Sequence, residues 1–307
     1  MTLDLRALPK ANLHLHLTGS MRPATLAYLA ARAGLAVPDP LPTGAVHGWA
    51  AFQSRYDAAR ASVRTADDVA RIVVEAAEDD AASGARLVEI QVDPTSYAAA
   101  LGGLESVVEA VLAGAAAAPI PVGVVVATSW AASASHASRL ATLAAAYAGR
   151  GVVGFGISND ERLGRVADFA PACAVARDAG LAVVPHGGFY TPAAHVADCV
   201  RLLGATRIGH GLSAAVDPAT VELLASRRVA LEVCPTSYPP FGVSTLAAVP
   251  VRALLAAGVP VALGTDDPLL FGASLADQYA LCRDVLGCTD AELAALAADS
   301  LAAAVTS

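Results

Sequence analysis

The chain has 307 residues, of which 55% are hydrophobic and 16% are charged, and its formal net charge is −8. Its mean hydropathy of +0.53 is high, but much of the apolar content is alanine, which contributes little hydrophobic free energy per residue. The longest uncharged stretch is interrupted by Pro119 and Pro121, and residues 1–10 contain no apolar core of a signal peptide. We therefore predict a cytoplasmic protein with no membrane partner.

The charged residues and the cysteines exclude further classes of protein. Lys10 is the only lysine, so the sequence offers neither a basic surface for nucleic acid nor the lysine of a Walker A loop. The cysteines are odd in number and lack a C-x-x-C pair, which favours buried thiols in a reducing compartment over disulfides or a zinc knuckle. They are Cys173, Cys199, Cys234, Cys282 and Cys288. The expected partner is a small-molecule substrate, and the sequence leaves the oligomeric state open.

Eight apolar runs of strand length, each bounded by glycine, proline or polar residues, follow one another along the chain. In chain order they are residues 12–17, 86–92, 122–128, 152–157, 182–186, 207–210, 229–234 and 261–264. Alanine-rich and leucine-rich segments with helical periodicity separate them. Capping-box signals at residues 65–68 and 289–292 mark the start of two helices, and Gly84 and Gly180 lie where helices are expected to end.

The alternation of strands and helices, without a break in composition, predicts an α/β fold in which a parallel sheet closes as a (β/α)8 TIM-type barrel. An open, doubly wound parallel sheet is the alternative. We predict that residues 1–307 form one barrel domain. The first connection, residues 18–84, is much longer than the others and contains the sequence WAAF at residues 49–52, so a helical lid is predicted after the first strand.

Polar side chains cluster at one end of the predicted strands. His14 and His16 lie two residues apart on the first strand, so their imidazoles point to the same side, which in a closed barrel can be the inside. The leucines that alternate with them would then face the helices; these are Leu13, Leu15 and Leu17. Three further polar residues lie at or beside the ends of the fifth, sixth and eighth strands, namely His186, His210 and Asp266. A barrel brings the carboxyl ends of its strands together, so these five polar side chains are expected to converge.

Three imidazoles and a carboxylate form a donor set that suits Zn²⁺ or another borderline divalent ion and leaves a coordination position for water. Such an ion lowers the pKa of that water, and a further histidine or aspartate beside it can accept or relay the proton. Taken alone, an H-x-H pair on a strand is more often packed or hydrogen-bonded than metal-binding. The remaining histidines lie in helical or loop contexts and are predicted at the surface: His47, His136 and His195.

Four segments carry a resemblance to a known family. In chain order they are PKANLHLHLTGS at residues 9–20, RIGHG at 207–211, LEVCPTS at 231–237 and GTDDP at 264–268. Together they resemble the adenosine deaminase branch of the amidohydrolase superfamily, and they occur in that family's order over most of the chain. The resemblance implies a (β/α)8 barrel with one catalytic zinc.

The resemblance also implies roles for individual residues. The zinc ligands that it implies are His14, His16, His186 and Asp266. His210 matches the family histidine that orients and deprotonates the attacking water, so His210 and Asp266 are the implied catalytic residues. Asp267 matches the carboxylate that bonds the purine ring on its N7 side. These roles imply attack by a metal-bound hydroxide, with release of an amino group from a heterocycle.

Three predicted substrate contacts depart from the family pattern. Phe189 stands where the family has the glutamate that protonates the ring nitrogen, three residues after the third metal histidine. Thr18 replaces the aspartate that holds the ribose hydroxyl of adenosine, which favours a substrate other than ordinary adenosine. Asn159 replaces the glycine whose amide meets the purine, although its own backbone N–H can still donate.

The loss of the glutamate has an energetic consequence. General acid catalysis typically accelerates a reaction about 10²–10⁴-fold, which corresponds to roughly 3 to 5 kcal/mol of transition-state stabilisation. Phenylalanine cannot donate a proton, and the nearest candidates for a substitute acid are Tyr190, Asp160 and Glu161. Phe189 can instead serve as a pocket wall that stacks on a planar or apolar substrate.

Three functions are compatible with these residues. The first is hydrolytic deamination of an aminopurine, a modified nucleoside or a related amino-heterocycle. The second keeps the same metal-hydroxide chemistry but cleaves a C–N or C–O bond in a non-purine substrate. The third is a homologue that binds a ligand without catalysis, which the presence of all the metal-binding and water-activating residues argues against.

Overall fold

Eight parallel strands, one for each predicted apolar run, form the sheet in a computed structural model that describes residues 3–37, 39–41 and 44–305. The strands are β1 Lys10–His16, β2 Ala85–Val92, β3 Val122–Ser129, β4 Val152–Ser158, β5 Ala182–Gly187, β6 Arg207–His210, β7 Ala230–Val233 and β8 Val261–Leu263. Their ends differ from the predicted ends by at most two residues. The runs are rich in valine and isoleucine because a parallel sheet is covered on both of its faces.

The sheet closes on itself into the predicted (β/α)8 barrel. Each strand pairs with the next in chain order, and an isolated parallel bridge joins Leu15 of β1 to Asp266, just beyond β8. The N–H of His16 donates to the carbonyl of Asp266 (3.0 Å), and the N–H of Asp266 donates to the carbonyl of His14 (2.8 Å). The alternative of an open doubly wound sheet is therefore wrong. The bonds that close the barrel also hold three predicted site residues side by side.

Helices follow the strands and pack around the barrel. They are α1 Pro23–Ala33, α2 Gly48–Ala61, α3 Ala66–Ala82, α4 Ala98–Leu101, α5 Leu104–Ala117, α6 Ala134–Ala146, α7 Ala170–Asp178, α8 Ala193–Asp198, α9 Pro218–Arg227, α10 Val251–Ala256, α11 Pro268–Phe271, α12 Leu275–Asp284 and α13 Asp290–Ala303. Both predicted capping boxes are confirmed, at the start of α3 and of α13. Gly84 follows α3 with φ +90°, and a Cβ there would lie 2.1 Å from a backbone carbonyl oxygen, so the turn into β2 requires glycine.

Strand β1 departs from regular alternation. Its pairing with β2 shifts register between Asn12 and Leu15, as happens where a β-bulge changes the direction of successive side chains. Leu15 and Leu17 join the main apolar core, but Leu13 packs in a separate small cluster with alanines of β1 and β8. All three leucines are buried, but Leu13 lies in a different apolar cluster from Leu15 and Leu17.

The long first connection carries α1, α2 and α3, as the predicted insertion requires. Side chains of α2 line the cavity at the mouth of the barrel, among them Trp49, Phe52 and Tyr56. The ring of Phe52 lies 5.1 Å from that of Phe241 and 5.8 Å from that of Phe271, which follow β7 and β8. Helix α2 therefore covers part of the carboxyl-terminal face of the barrel, where TIM barrels place their active sites.

Two further expectations concern thiols and membrane spans. All five cysteines are free and buried, as predicted. Within the described ranges no single helix has the length and hydropathy of a membrane span. One pair of short helical segments, Pro235–Phe241 and Leu246–Ala256, reaches those values only when the two are counted together across a 120° bend.

Candidate active site

A cavity of about 860 Å³, including its open mouth, lies at the carboxyl-terminal ends of the strands. Strand ends, the loops that follow them and helix α2 enclose it. The predicted site residues that line it are His16, Asn159, His186, Phe189, His210, Asp266 and Asp267. Several of its aromatic walls come from residues to which the sequence assigned no role: Tyr56, Tyr97, Phe241 and Phe271.

The imidazoles of His14, His16 and His186 converge at the floor of the cavity. One ring nitrogen from each lies within 4.8 Å of the others. The Oδ1 atom of Asp266 lies 3.3 Å from Nε2 of His16 and 3.5 Å from Nε2 of His14. These four side chains are the predicted metal ligands: the three imidazoles form one close group of donor atoms, and Asp266 contacts two of them.

The close packing of these rings depends on a glycine. The ring centroids of His14 and His186 are 4.7 Å apart, with an angle of 29° between the planes. A Cβ on Gly209 of β6 would lie 2.6 Å from Cδ2 of His186 and 2.8 Å from Cε1 of His14. Any side chain at this position would displace both rings, so the glycine of RIGHG leaves room for the imidazoles.

A buried carboxylate orients His14. Its Nδ1 lies 2.9 Å from Oε2 of Glu232, while its Nε2 is buried and has no hydrogen-bond partner among the described residues. A ring that donates Nδ1–H to a carboxylate presents the lone pair of Nε2, as metal-ligating histidines do. Burial opposes a charged ring, but Asp266 and Glu232 outweigh it and raise the pKa of His14 to about 10. The surroundings therefore attract positive charge to this nitrogen, which fits a bound cation.

A second set of donors shares two of these residues. His14, His210, Cys234 and Asp266 also bring one donor atom each within 4.8 Å of one another. Burial raises the pKa of the Cys234 thiol well above its usual value, and nearby carboxylates add to the effect. We keep the three imidazoles and Asp266 as the candidate metal site, because their donor types are those of catalytic zinc sites. His210 is then available for another role.

His210 lies beside the ligands. Its ring centroid is 4.8 Å from that of His14 and 5.0 Å from that of His186. Burial lowers the pKa of His210 to about 3, despite the attraction of Asp266 for a proton on the ring. Its Nδ1 is buried without a hydrogen-bond partner among the described residues. A neutral imidazole in this place can accept a proton from a nearby water.

Asp266 and Asp267 are neighbours in the chain, and their pKa values shift in opposite directions. Despite burial, the nearby imidazoles of His14 and His16 lower the pKa of Asp266 well below its usual value. Burial, together with the charge of Asp266, raises the pKa of Asp267 well above its usual value. These surroundings favour the protonated form of Asp267, which can donate a hydrogen bond to a ring nitrogen.

Three site residues have a left-handed backbone conformation. The φ angle is +68° at Asn159, +68° at His210 and +58° at Asp266. This conformation is costly for residues other than glycine and concentrates at functional sites. Asparagine is one of the few residues that adopt it readily, so the chain at Asn159 can follow a glycine-like path where the family pattern has glycine.

Phe189 belongs to an aromatic wall beside His210. Its ring centroid lies 4.7 Å from that of His210, 4.8 Å from that of Tyr190 and 5.2 Å from that of Phe241. Trp49 of α2 extends this wall, with its ring 5.9 Å from that of Phe241. The wall offers a large apolar area on which a planar ring can stack.

Two of the three candidate substitute acids, Asp160 and Tyr190, have unfavourable surroundings. The carboxylate of Asp160 accepts two bonds from the guanidinium of Arg162, at 2.8 and 2.7 Å. These bonds lower the pKa of Asp160, so it stays charged and holds no proton to donate. Tyr190 lines the cavity, but burial raises the pKa of its hydroxyl, which makes it a weaker acid.

Glu161, the third candidate, links the loop after β4 to the loop after β5. Its Oε1 accepts the N–H of Tyr190, the N–H of Thr191 (2.6 Å) and the hydroxyl of Thr191 (2.8 Å). Its Oε2 is buried and has no hydrogen-bond partner among the described residues. Glu161 also lines the cavity, so it combines a fixed position with an unused carboxylate oxygen.

Thr18 lies below the surface of the cavity. It is fully buried, and its hydroxyl forms a hydrogen bond with the hydroxyl of Tyr97. Tyr97 is the member of the pair that lines the cavity. A direct contact between Thr18 and the substrate stays a prediction.

The three histidines predicted at the surface are half-buried. Nε2 of His136 lies 2.8 Å from Oγ1 of Thr95, and the ring of His195 lies 5.0 Å from that of Trp130. The N–H of His47 donates to the carbonyl of Pro240. None of the three is among the described residues that line the cavity.

Sequence reasoning missed two kinds of site residue. Glu232 lies in the LEVCPTS segment, but no role was predicted for it from the sequence. A carboxylate inside an apolar strand indicates a buried ion pair or hydrogen bond, because a buried charge needs a partner. Phe241 and Phe271 lie outside any periodic pattern. The closure of the barrel brings them to its mouth, so no local signal could have found them.

A closed (β/α)8 barrel with three imidazoles, a carboxylate and a further histidine at its carboxyl-terminal face defines a metal-dependent hydrolase. Comparison with known proteins identifies the family within this class of hydrolases. The sequence model of the adenosine deaminase family matches residues 9–307. The chain therefore belongs to the adenosine deaminase family and is a hydrolytic deaminase, acting on C–N bonds other than peptide bonds. The hypothesis of a homologue without catalysis is set aside.

Three similar proteins illustrate the relationship. A protein from Streptomyces virginiae, provisionally described as an adenosine/adenine deaminase, is 49% identical over 97% of this chain and 92% of its own length. The crystal structure of adenine deaminase from Arthrobacter aurescens has a TM-score of 0.84 and 27% identity, and the match covers 98% of this chain and 95% of that one. An amidohydrolase from Burkholderia ambifaria, with bound zinc, has a TM-score of 0.87 and 25% identity over 99% and 87% of the two chains.

Proposed function

We propose that the protein hydrolytically deaminates an uncharged aminopurine, taken as the free base or as a nucleoside. The observation that carries this proposal is that the imidazoles of His14, His16 and His186 converge beside Asp266, His210 and Asp267 at one aromatic-walled cavity. The relatives described as adenosine/adenine deaminase and adenine deaminase support a purine substrate. The aromatic walls fit a flat heterocycle.

We propose zinc as the metal of this site. Three imidazole nitrogens and one carboxylate oxygen are the ligands that zinc prefers, and the similar Burkholderia ambifaria amidohydrolase holds zinc. The proposed ligands are His14, His16, His186 and Asp266. A divalent ion held there supplies the nucleophile at neutral pH by lowering the pKa of a water molecule.

Residues of the chain move the protons and orient the substrate. His210, neutral because burial lowers the pKa of its ring, accepts a proton from the attacking water. Burial and the charge of Asp266 raise the pKa of the Asp267 carboxyl group and so favour its protonated form, which donates a hydrogen bond to an acceptor nitrogen of the purine. Phe189 and Phe241 supply the apolar surface on which the ring stacks.

The proton for the purine ring nitrogen needs a source other than residue 189. We assign this role to Glu161, because its side chain lines the cavity and one of its carboxylate oxygens, Oε2, has no hydrogen-bond partner among the described residues, while Oε1 is held by the loop after β5. Asp160 is unsuitable because Arg162 keeps it charged. Tyr190 is the less favoured donor because burial raises the pKa of its hydroxyl.

The charge of the cavity lining favours a substrate without phosphate. Arg60 is the only lysine or arginine among the described residues of the lining. Its guanidinium is already bonded to the carboxylate of Asp57 and, at 2.8 Å, to the hydroxyl of Ser96. Phosphate groups require free guanidinium, ammonium or backbone N–H donors, so nucleotides are expected to bind poorly.

Ammonia release from a substrate panel tests this function. The panel contains adenine, adenosine, 2′-deoxyadenosine, AMP and cytosine. We expect ammonia from at least one purine base or nucleoside, at a rate that exceeds the rates with AMP and cytosine. Activity confined to non-purine amides or esters would instead favour the second function that the sequence allows, cleavage of a C–N or C–O bond outside the purines.

Elemental analysis tests the metal. Purified protein is expected to hold about one zinc per chain, and removal by a chelator is expected to abolish ammonia release until zinc is returned. Protein that stays metal-free after zinc addition would contradict both the metal site and the proposed reaction.

A further inference from the structure

A chain of buried ionic side chains leads away from the cavity, starting at His14. Glu232, which accepts from His14 through Oε2, also accepts through Oε1 from Nε of Arg207 at 2.6 Å. Nη2 of Arg207 donates in turn to Oε2 of Glu89. The exposed fractions are 3% for His14, 1% for Glu232, 2% for Arg207 and 0% for Glu89.

The far end of this chain is held by the segment after α13. Nη1 of Arg207 donates to the carbonyl of Ala303 at 2.8 Å, and the N–H of Val305 donates to Oε1 of Glu89 at 3.0 Å. Both oxygens of each carboxylate are therefore bonded. Arg207 is the first residue of β6, so these contacts lie toward the amino-terminal face of the barrel, opposite the cavity.

Glu89 and Glu232 outnumber the one guanidinium of the network, so the carboxylates have negative charge left to attract the Nδ1–H of His14, in an interior that screens charge weakly. Glu89 and Glu232 share the positive charge of Arg207. When Glu89 binds Arg207 more strongly, Arg207 neutralises less of the charge on Glu232. Glu232 is then a stronger acceptor for the Nδ1–H of His14.

We propose that Glu89 and Arg207 are positioning residues that set the metal affinity of His14 through Glu232. The inference rests on the proposed metal site, although neither residue is among the described residues that line the cavity. A strong carboxylate acceptor on Nδ1 fixes the tautomer of a ligating histidine and raises the basicity of its other nitrogen. Weakening that acceptor weakens the bond from Nε2 to the metal.

Zinc affinity, measured by competition with a chromophoric chelator, is the direct readout. Glu89→Gln removes the carboxylate that competes with Glu232 for Arg207. Arg207 then binds Glu232 more strongly, which weakens Glu232 as the acceptor of His14. The affinity for zinc is expected to fall about tenfold. Asp80→Asn is the matched control, since Asp80 is also a buried acid, bonded to Asn12 outside the network. Its zinc affinity is expected to equal that of the wild type.

A double-mutant cycle tests whether Glu89 acts through Glu232. Glu232→Gln is expected to weaken zinc binding more than Glu89→Gln, because it changes the direct acceptor of His14. Combining the two changes is expected to add no further loss beyond Glu232→Gln alone. Losses that multiply would show that Glu89 acts by another route and would overturn the proposal.

Val305→Pro covers the case in which Glu89→Gln does not fold. It removes the N–H that donates to Glu89, and the extended conformation of Ala304 (φ −65°, ψ 143°) is compatible with a following proline. Glu89 then holds Arg207 more strongly, so zinc affinity is expected to rise; unchanged or lower affinity overturns the proposal.

Wild-type protein that binds no zinc contradicts the metal site itself, whereas equal affinity in wild type and Glu89→Gln contradicts only this inference.

Discussion

The ring of Phe189 packs against the imidazole of His210, with centroids 4.7 Å apart and an angle of 57° between the planes. An apolar ring therefore lies beside the proposed base, at the chain position to which the family resemblance assigns a proton donor. We expect Phe189→Glu to raise kcat/KM for the preferred aminopurine about tenfold, less than the 10²–10⁴-fold of a full general acid because Glu161 already supplies part of this effect. Steady-state ammonia release measures the change.

Phe189→Gln is the matched control for this substitution. Glutamine has nearly the size and polarity of glutamate but no carboxyl proton, so it is expected to lower kcat/KM by weakening the aromatic wall. Equal gains from both substitutions would show that space or polarity at position 189, rather than an acid, limits the wild-type rate.

His210 is proposed to accept a proton and not to hold the metal. His210→Asn removes the base but keeps a residue that tolerates the φ angle of +68° at this position. We expect kcat to fall about 10²–10⁴-fold while elemental analysis still finds zinc at the wild-type level. His186→Asn is the comparison, and it is expected to lose zinc. Zinc loss from His210→Asn would favour the donor set that contains Cys234.

The strands, and the convergence of polar side chains at one end of the barrel, could be predicted because each leaves a local signal in the sequence. An apolar run bounded by glycine or proline marks a buried parallel strand, and polar residues at the ends of such runs share one face of the barrel. The register shift in β1 could not be predicted, because it arises from the pairing of β1 with β2. A pairing irregularity of this kind leaves no trace in the periodicity of one strand.

The buried ionic network shows a second limit of sequence reasoning. Arg207, Glu89 and Glu232 are visible in the sequence as single charges within apolar strands, which predicts burial with a partner. Arg207 bonds residues that lie 25 and 118 positions away along the chain. Only the closed barrel identifies these partners, since the spacing of charges in separate strands carries no pairing information.

Glu161 has two roles that substitutions can separate. Glu161→Gln keeps an oxygen that can accept from the N–H groups of Tyr190 and Thr191, but it removes the acid. We expect kcat to fall about 10²-fold with little change in KM. Glu161→Ala also leaves the loop donors without an acceptor, so KM is expected to rise as well. Steady-state kinetics with the preferred purine gives both constants.

Tyr190→Phe is the control for this assignment, because it removes only the competing hydroxyl. Its kcat is expected to stay within about twofold of the wild-type value. Adding Phe189→Glu to Glu161→Gln is expected to restore most of the lost kcat, since a carboxyl group then returns to the cavity. A larger loss from Tyr190→Phe than from Glu161→Gln would identify Tyr190 as the acid instead.

Asp80 is a titrating group outside the cavity lining. It is buried on α3 and accepts two hydrogen bonds from Nδ2 of Asn12, at 3.2 and 3.0 Å. Burial raises the pKa of Asp80 from 3.8 to about 7, despite these bonds and the nearby charge of Lys10. The folded protein therefore keeps a proton that the unfolded chain releases near pH 4.

Because the folded state binds the extra proton, the free energy of unfolding is expected to fall as pH rises from about 4 to 7, by at most about 4 kcal/mol from this group. Asp80→Asn has no ionisable group at this position, so it lacks this pH-dependent loss. The free energy of unfolding of Asp80→Asn minus that of the wild type is therefore expected to increase from pH 5 to pH 8. Urea unfolding at the two pH values measures this difference. Glu78→Gln, on the exposed face of the same helix, is expected to keep the wild-type dependence. Parallel pH curves for wild type and Asp80→Asn would show that Asp80 ionises with its usual pKa.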